Sequence, residues 1–170
     1  MIKIAFLFLT ISAAHHEQLW RDFFAGHDDQ YTIYAHAKQE IPTSSLLHSY
    51  RIPETCSTTW ANTMRAQIAL LKEALKDPDN DKFVFVSEST IPLATFDTAY
   101  QRLTATPHSI FMYRPNPHII PGSATFDKTR DLQPISHEQQ YKNYQWVVLN
   151  RKHAQLMVED SYYTENRQKL

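Results

Sequence analysis

The residues best suited to chemistry follow apolar runs. Phe83-Val84-Phe85-Val86 leads into Ser87-Glu88-Ser89-Thr90, one carboxylate set among hydroxyls. Such a group can accept hydrogen bonds from sugar or ribose hydroxyls, and it can equally cap the turn that follows. Thr10-Ile11-Ser12 stands after a first apolar run, and His36-Ala37-Lys38 closes a second. Lys38 and Arg65 are candidate phosphate partners, against a solvated surface role. Trp60 and Trp146 could stack on a sugar face or a base, or pack into a core. His36 ends a strand, where a hydrogen-bonded structural histidine is the competing reading.

Other chemistry is excluded by what is missing. An Asp-x-Asp pair, which could hold a divalent ion on a diphosphate, does not follow Val86; one carboxylate does not make that site. A diphosphate bound there would be neutralised by fixed cations or backbone N–H groups. No Gly-x-Gly-x-x-Gly and no Gly-Lys-Ser/Thr loop occurs, which argues against a dinucleotide fold and a P-loop. The nine histidines are scattered without zinc spacing. His15 and His16 are adjacent, and adjacent positions on a helix do not face one another. No metal site is expected. Cys56 is the one cysteine, so no internal disulfide can form, and nothing near it activates a thiolate.

These groups need elements to position them. Lys3 to Leu9 is a continuous apolar run, the pattern of a strand buried on both faces. It is too short to span a bilayer and reads as a first strand rather than a short signal peptide. A helix over about 15–25 follows, with Leu19, Trp20, Phe23 and Phe24 as its apolar stripe and Gly26 at its end. Tyr31 to His36 is a second strand, completing a β-α-β unit and implying a parallel pairing. A short strand near 46–51 is possible. Thr58 or Thr59 can cap a long helix to about Lys76, with Met64, Ile68, Leu71 and Leu75 as its stripe. Asp77-Pro78-Asp79-Asn80 ends it. Strands are expected at 82–87, 109–113 and 145–149, helices at 96–103 and 151–159, and a long proline-bearing loop at 115–134. The alternation predicts an α/β fold with a mostly parallel sheet flanked by helices, a Rossmann-like arrangement. Ligands of such sheets bind beyond the carboxyl ends of the strands, the place where the three polar sets stand.

The bulk composition agrees with one globular domain over 1–170: 42% hydrophobic, 21% charged, with only two glycines. Lys and Arg total 17 against 18 Asp and Glu, a net charge of −1, which argues against a nucleic-acid surface. No membrane segment is read, and the chain reads as soluble and cytoplasmic.

Three stretches carry a more specific signal. The first is Lys3 to Thr10, with Leu19-Trp20-Arg21-Asp22-Phe23-Phe24-Ala25-Gly26-His27 and Tyr31 to His36. The second is Arg65 to Leu75, with Asp81 to Leu93 and its Ser-Glu-Ser-x-Ile-Pro-Leu segment. The third is Tyr144-Gln145-Trp146-Val147-Val148-Leu149-Asn150-Arg151, with Tyr162-Tyr163 beyond. In this order they resemble the core-2/I-branching β-1,6-N-acetylglucosaminyltransferase family, in the form typical of its plant members. The resemblance implies a GT-A-like fold and an inverting, metal-independent glycosyltransferase. It would move a sugar, N-acetylglucosamine, from a UDP-sugar to a carbohydrate acceptor, and no cofactor is expected besides the UDP-sugar substrate. In relatives the loops after strands one and two touch the uridine, and these match Thr10 to Ser12 and His36 to Lys38. Together with Arg65, Ser87 and Glu88 from the reading of the residues they make the expected donor side, with Trp146 on the acceptor side. Relatives commonly have His-x-Asp where this chain has His36-Ala37-Lys38. They also place a catalytic glutamate, in an Asp-Glu pair, and phosphate-binding basic residues downstream of the helix that ends near Asp160. Glu165 lacks the preceding aspartate, so no catalytic base is assigned and a C-terminal part of the domain is expected to be missing. Eukaryotic relatives are Golgi membrane proteins with an N-terminal anchor. The alternative reading is a non-catalytic carbohydrate- or protein-binding module built on the same fold.

Overall fold

The computed structural model describes residues 2–59, 62–115 and 141–160. The first apolar run forms strand β1 (Lys3–Thr10), followed by helix α1 (Glu17–Phe24) and strand β2 (Tyr31–Ala37). Helix α2 (Met64–Ala74) leads into β3 (Asn80–Ser87), and helix α3 (Phe96–Thr104) follows. Short strands β4 (Tyr113–Pro115) and β5 (Tyr141–Asn143) pair with each other. Strand β6 (Val148–Asn150) runs directly into helix α4 (Arg151–Glu159).

The main sheet has the order β2-β1-β3-β6. β1 pairs in parallel with β2 and β3, and β6 lies antiparallel on the β3 edge. The β-α-β unit and the mostly parallel sheet expected above are therefore present. Alternation along each strand splits the core into two layers, because successive side chains point to opposite faces. Phe6, Phe8, Ile33 and Val86 meet Trp20, Phe23, Phe24 and Phe96 from α1 and α3. Leu7, Leu9, Phe83, Phe85 and Leu149 meet Leu70, Leu71 and Ala154 from α2 and α4. The first layer is an aromatic lattice: Phe6 lies 5.0 Å from Phe24 and Phe8 5.0 Å from Trp20, both edge-on. Such pairs add about 0.5–1.5 kcal/mol each beyond burial.

The boundaries show which local signals won. Leu19 is exposed, because Trp20, Phe23 and Phe24 define the buried stripe and Leu19 lies on its flank. Gly26 has φ 80°, a left-handed residue closing α1 where glycine carries no Cβ penalty. Helix α2 begins at Met64 rather than after Thr58 or Thr59; Thr63 precedes it, and its hydroxyl accepts from the Gln67 side chain instead of capping backbone. Met64 is exposed, and the buried stripe is Ala66, Ile68, Leu70, Leu71 and Ala74. In place of a strand near 46–51 there is a 3₁₀ turn at His48–Tyr50. Turn bonds within 41–48 prevail there: the Ser45 N–H donates to the Pro42 carbonyl, and His48 Nδ1 lies 2.9 Å from the Ile41 carbonyl. Only a bridge between Ala35 and Arg51 reaches the sheet. The expected strand at 109–113 is reduced to a bridge between Ile110 and Val148 before β4. Helix α4 matches its expected span, with the Asn150 side chain accepting from the His153 N–H as cap. Trp60, most of the long loop at 115–134, Tyr162, Tyr163 and Glu165 lie outside the described residues.

Candidate functional site

Parallel pairing brings the ends of three strands to one edge. Thr10 stands beside Ala37, and Leu9 beside Ser87. The sets Thr10–Ser12, Ala37–Lys38 and Ser87–Thr90 therefore meet at the carboxyl end of the sheet. Helix α2 runs back toward β3, which puts Arg65, in its first turn, at this end as well. Because β6 is antiparallel to β3, the residues just before it also arrive here: the Phe85 N–H bonds the Val147 carbonyl, with Trp146 one residue further along.

The loops are tied to each other by backbone and side chains. The Lys38 N–H donates to the Thr10 carbonyl at 3.1 Å and the Gln39 N–H to the Ile11 carbonyl at 2.7 Å. The Thr10 hydroxyl is buried and donates to the Ser12 carbonyl at 2.7 Å, which bends the chain out of β1. The Ser12 hydroxyl donates to the Glu40 carbonyl at 2.7 Å. The Ser87 hydroxyl lies 3.0 Å from that of Thr90, whose oxygen also accepts the Ser87 N–H at 3.0 Å. The Thr90 carbonyl in turn accepts the Trp20 indole N–H at 3.1 Å, fixing this turn to α1.

Glu88 is half-buried. Its Oε2 accepts the Ile11 N–H at 2.9 Å, and its backbone carbonyl accepts the His15 N–H at 2.8 Å. One carboxylate oxygen is thus committed to the neighbouring loop. Glu17 acts comparably at the start of α1, holding the Ser45 hydroxyl and the Leu46 N–H with its carboxylate.

The ring of His36 departs from the expectation. Its position in β2 directs it to the α2 face, away from Ala35 and Ala37, and it is fully buried. Nε2 accepts the Cys56 N–H at 3.0 Å, while Nδ1 is buried without a partner among the described residues. Burial pushes its pKa below the usual histidine value; its own backbone opposes this, and the Arg51 charge adds to it. A neutral, enclosed imidazole supports the loop at Cys56 and does not offer its ring to a ligand at the sheet end. Cys56 Sγ lies 3.6 Å from the same Nε2. Burial pushes that thiol up, with the Arg65 charge opposing, the reverse of an activated thiolate. Lys38 and Arg65 are exposed. Trp146 is 51% exposed and stacks with Tyr144 at 6.2 Å and 20°. The described residues contain no group of three or more His, Cys, Asp or Glu able to hold a metal ion. Nor does any of their helices have the length and apolarity to cross a membrane.

Trp20 and Glu17 also build this end, and sequence reasoning does not find them as such. Trp20 is legible only as a core residue, and Glu17 only as an acidic residue in a first helical turn; their partners lie 70 and 28 residues away.

The model of the core-2/I-branching enzyme family matches residues 4–170, almost the whole chain. The chain belongs to the core-2/I-branching enzyme family. The mixed α/β fold, with its four-stranded, mostly parallel sheet flanked by helices, is that of a GT-A-like glycosyltransferase domain. The chain is similar to glycosyltransferase BC10 of Oryza sativa subsp. japonica, 29% identical over 174 residues, covering 93% of this chain and 41% of that relative. The chain therefore spans less than half the length of that curated relative.

Proposed function

We propose that this chain forms the donor side of a glycosyltransferase. In this reading a sugar, N-acetylglucosamine, passes from a UDP-sugar to a hydroxyl of a glycan or other acceptor. The transfer proceeds with inversion and without a metal ion or other cofactor. The observation that carries the proposal is the meeting of the Thr10–Ser12, Ala37–Lys38 and Ser87–Thr90 loops at one edge of a parallel sheet, in a chain of a glycosyltransferase family. That edge is where α/β sheets take ligands. It offers backbone groups and hydroxyls for the uridine and exposed cations, Lys38 and Arg65, for the diphosphate. The single carboxylate at the β3 exit, with one oxygen engaged by Ile11, favours cations over a metal as the counter-charge.

The chemistry is a direct displacement. The acceptor oxygen attacks the anomeric carbon as the bond to the diphosphate breaks, a general base takes the acceptor proton, and UDP leaves. No described residue is assigned as that base. Exposed Trp146, stacked on Tyr144, is the proposed acceptor platform, since an aromatic face suits the apolar face of a pyranose.

Calorimetric titration with UDP and UDP-N-acetylglucosamine, with EDTA present, tests the reading. Saturable binding that survives EDTA is expected. Binding abolished by EDTA would overturn metal independence, and no binding of either compound would overturn the donor site in this chain.

A further inference from the structure

We propose that Glu88 is a positioning residue for the donor, acting through the loop between β1 and α1 rather than by touching the sugar. This deepens the donor-site reading above and rests on it. The loop leaves the sheet at Thr10 and enters α1 at Glu17. Glu88 holds it at two points, the Ile11 N–H on its carboxylate and the His15 N–H on its carbonyl. Those two bonds bracket Ser12-Ala13-Ala14, a stretch of small side chains of which Ala14 is buried in the core.

The two bonds differ in what they need. The His15 bond uses a backbone carbonyl and survives any substitution at position 88. The Ile11 bond uses the side chain and spans 77 residues of sequence, so no local preference replaces it. It is also charge-assisted, the stronger class of hydrogen bond. Without it, Ile11 keeps only its carbonyl bond to the Gln39 N–H, and the loop meets the β3 exit through the His15 bond alone. The Ile11 end of the loop is then no longer held to the β3 exit, and a ligand spanning the two must first order it. Ile11 itself is 53% exposed, so the tie is made by its backbone and not by packing of its side chain.

The test is UDP affinity, by calorimetry, for the wild-type chain, Glu88→Ala, Glu88→Gln and the control Arg151→Ala. Arg151 clamps the opposite end of β3 through the carbonyls of Asp77 and Asn80, so its loss lowers stability without touching the loop. Glu88→Ala is expected to bind UDP about tenfold more weakly. Glu88→Gln keeps an oxygen that can accept the Ile11 N–H, and it is expected within about threefold of wild type. Arg151→Ala is expected to bind as wild type despite a lower melting temperature. Amide exchange at Ile11 should quicken in Glu88→Ala and not in Arg151→Ala. Equal affinity of Glu88→Ala and wild type would overturn the proposal. So would affinity that simply tracks melting temperature across all three variants. Absence of UDP binding by the wild-type chain would overturn the donor reading and this inference with it.

Discussion

Arg151 opens α4, yet its guanidinium serves the turn between α2 and β3. One nitrogen, Nη1, donates to the carbonyls of Asp77 at 3.0 Å and Asn80 at 2.7 Å, with Pro78 more distant at 3.4 Å; Nη2 donates to Leu75 at 2.9 Å. These are the last carbonyls of a helix and the turn after it, which have no intrahelical partner of their own. Arg151→Ala removes the three short bonds together. At about 1.5 kcal/mol for each bond to a charged donor, the gross loss is about 4–5 kcal/mol. The site is part-buried, and water entering the vacated space recovers roughly half, leaving a net loss of about 2–3 kcal/mol. For a domain of this size each kcal/mol moves the melting temperature by about 2–4 °C, so a fall of about 4–12 °C is expected. Thermal unfolding followed by circular dichroism at pH 7 measures it. Arg151→Lys should recover less than half, because a compact ammonium does not reproduce the planar fork that bridges Leu75 and Asn80. A fall below about 1 °C for the alanine variant, or full recovery by lysine, would refute the clamp.

Further expectations concern the two faces of the sheet. Because burial lowers the folded pKa of His36, the folded chain keeps that ring neutral where the unfolded chain, titrating near about 6.5, has begun to take up a proton. Stability from this group is fully present above that value and is lost as pH falls through the window below it. Its ring resonances should therefore remain in the neutral position at pH 6.5; a midpoint at or above the ordinary value would contradict the burial argument. Trp20→Phe keeps the edge-on packing against Phe8 but removes the indole donor to Thr90. A loss of about 1–2 kcal/mol is expected by urea unfolding, and no change in midpoint would show that the Thr90 tie contributes nothing.

Much of the frame was legible because it rests on short-range pattern. The apolar runs at Lys3–Leu9 and Lys82–Val86 could hardly form anything but strands buried on both faces, and Gly26 marked a helix end by its own chemistry. The rule that places ligands beyond parallel strands then pointed to the edge where the three loops meet. What escaped depends on partners far along the chain. Whether His36 faces outward or into the α2 layer is fixed by strand register and by the Cys56 N–H, 20 residues away. Whether Glu88 is free for a ligand is fixed by Ile11, 77 residues away. The segment at 46–51 has the residues of a strand, but turn bonds from Ser45 and His48 decide its path.

The order of the sheet also bears on how the chain is born. β1 is an inner strand, paired on both edges, yet it precedes both of its partners in the chain. During synthesis the segment Lys3–Thr10 waits for β2 and then for β3, which ends at Ser87. At roughly 5–20 residues per second, the stretch from Ala37 to Ser87 takes about 2.5–10 s. For that interval one edge of an almost wholly apolar strand is open, with only its parallel neighbour β2 and the aromatic face of α1 to shield it. Trp20, Phe23 and Phe24 are all present in the chain once residue 24 has been made, well before the residues of β3, and in the fold they cover one face of β1. The aromatic density of α1 thus doubles as cover for the nascent strand, a protective task distinct from anything it does in the finished sheet.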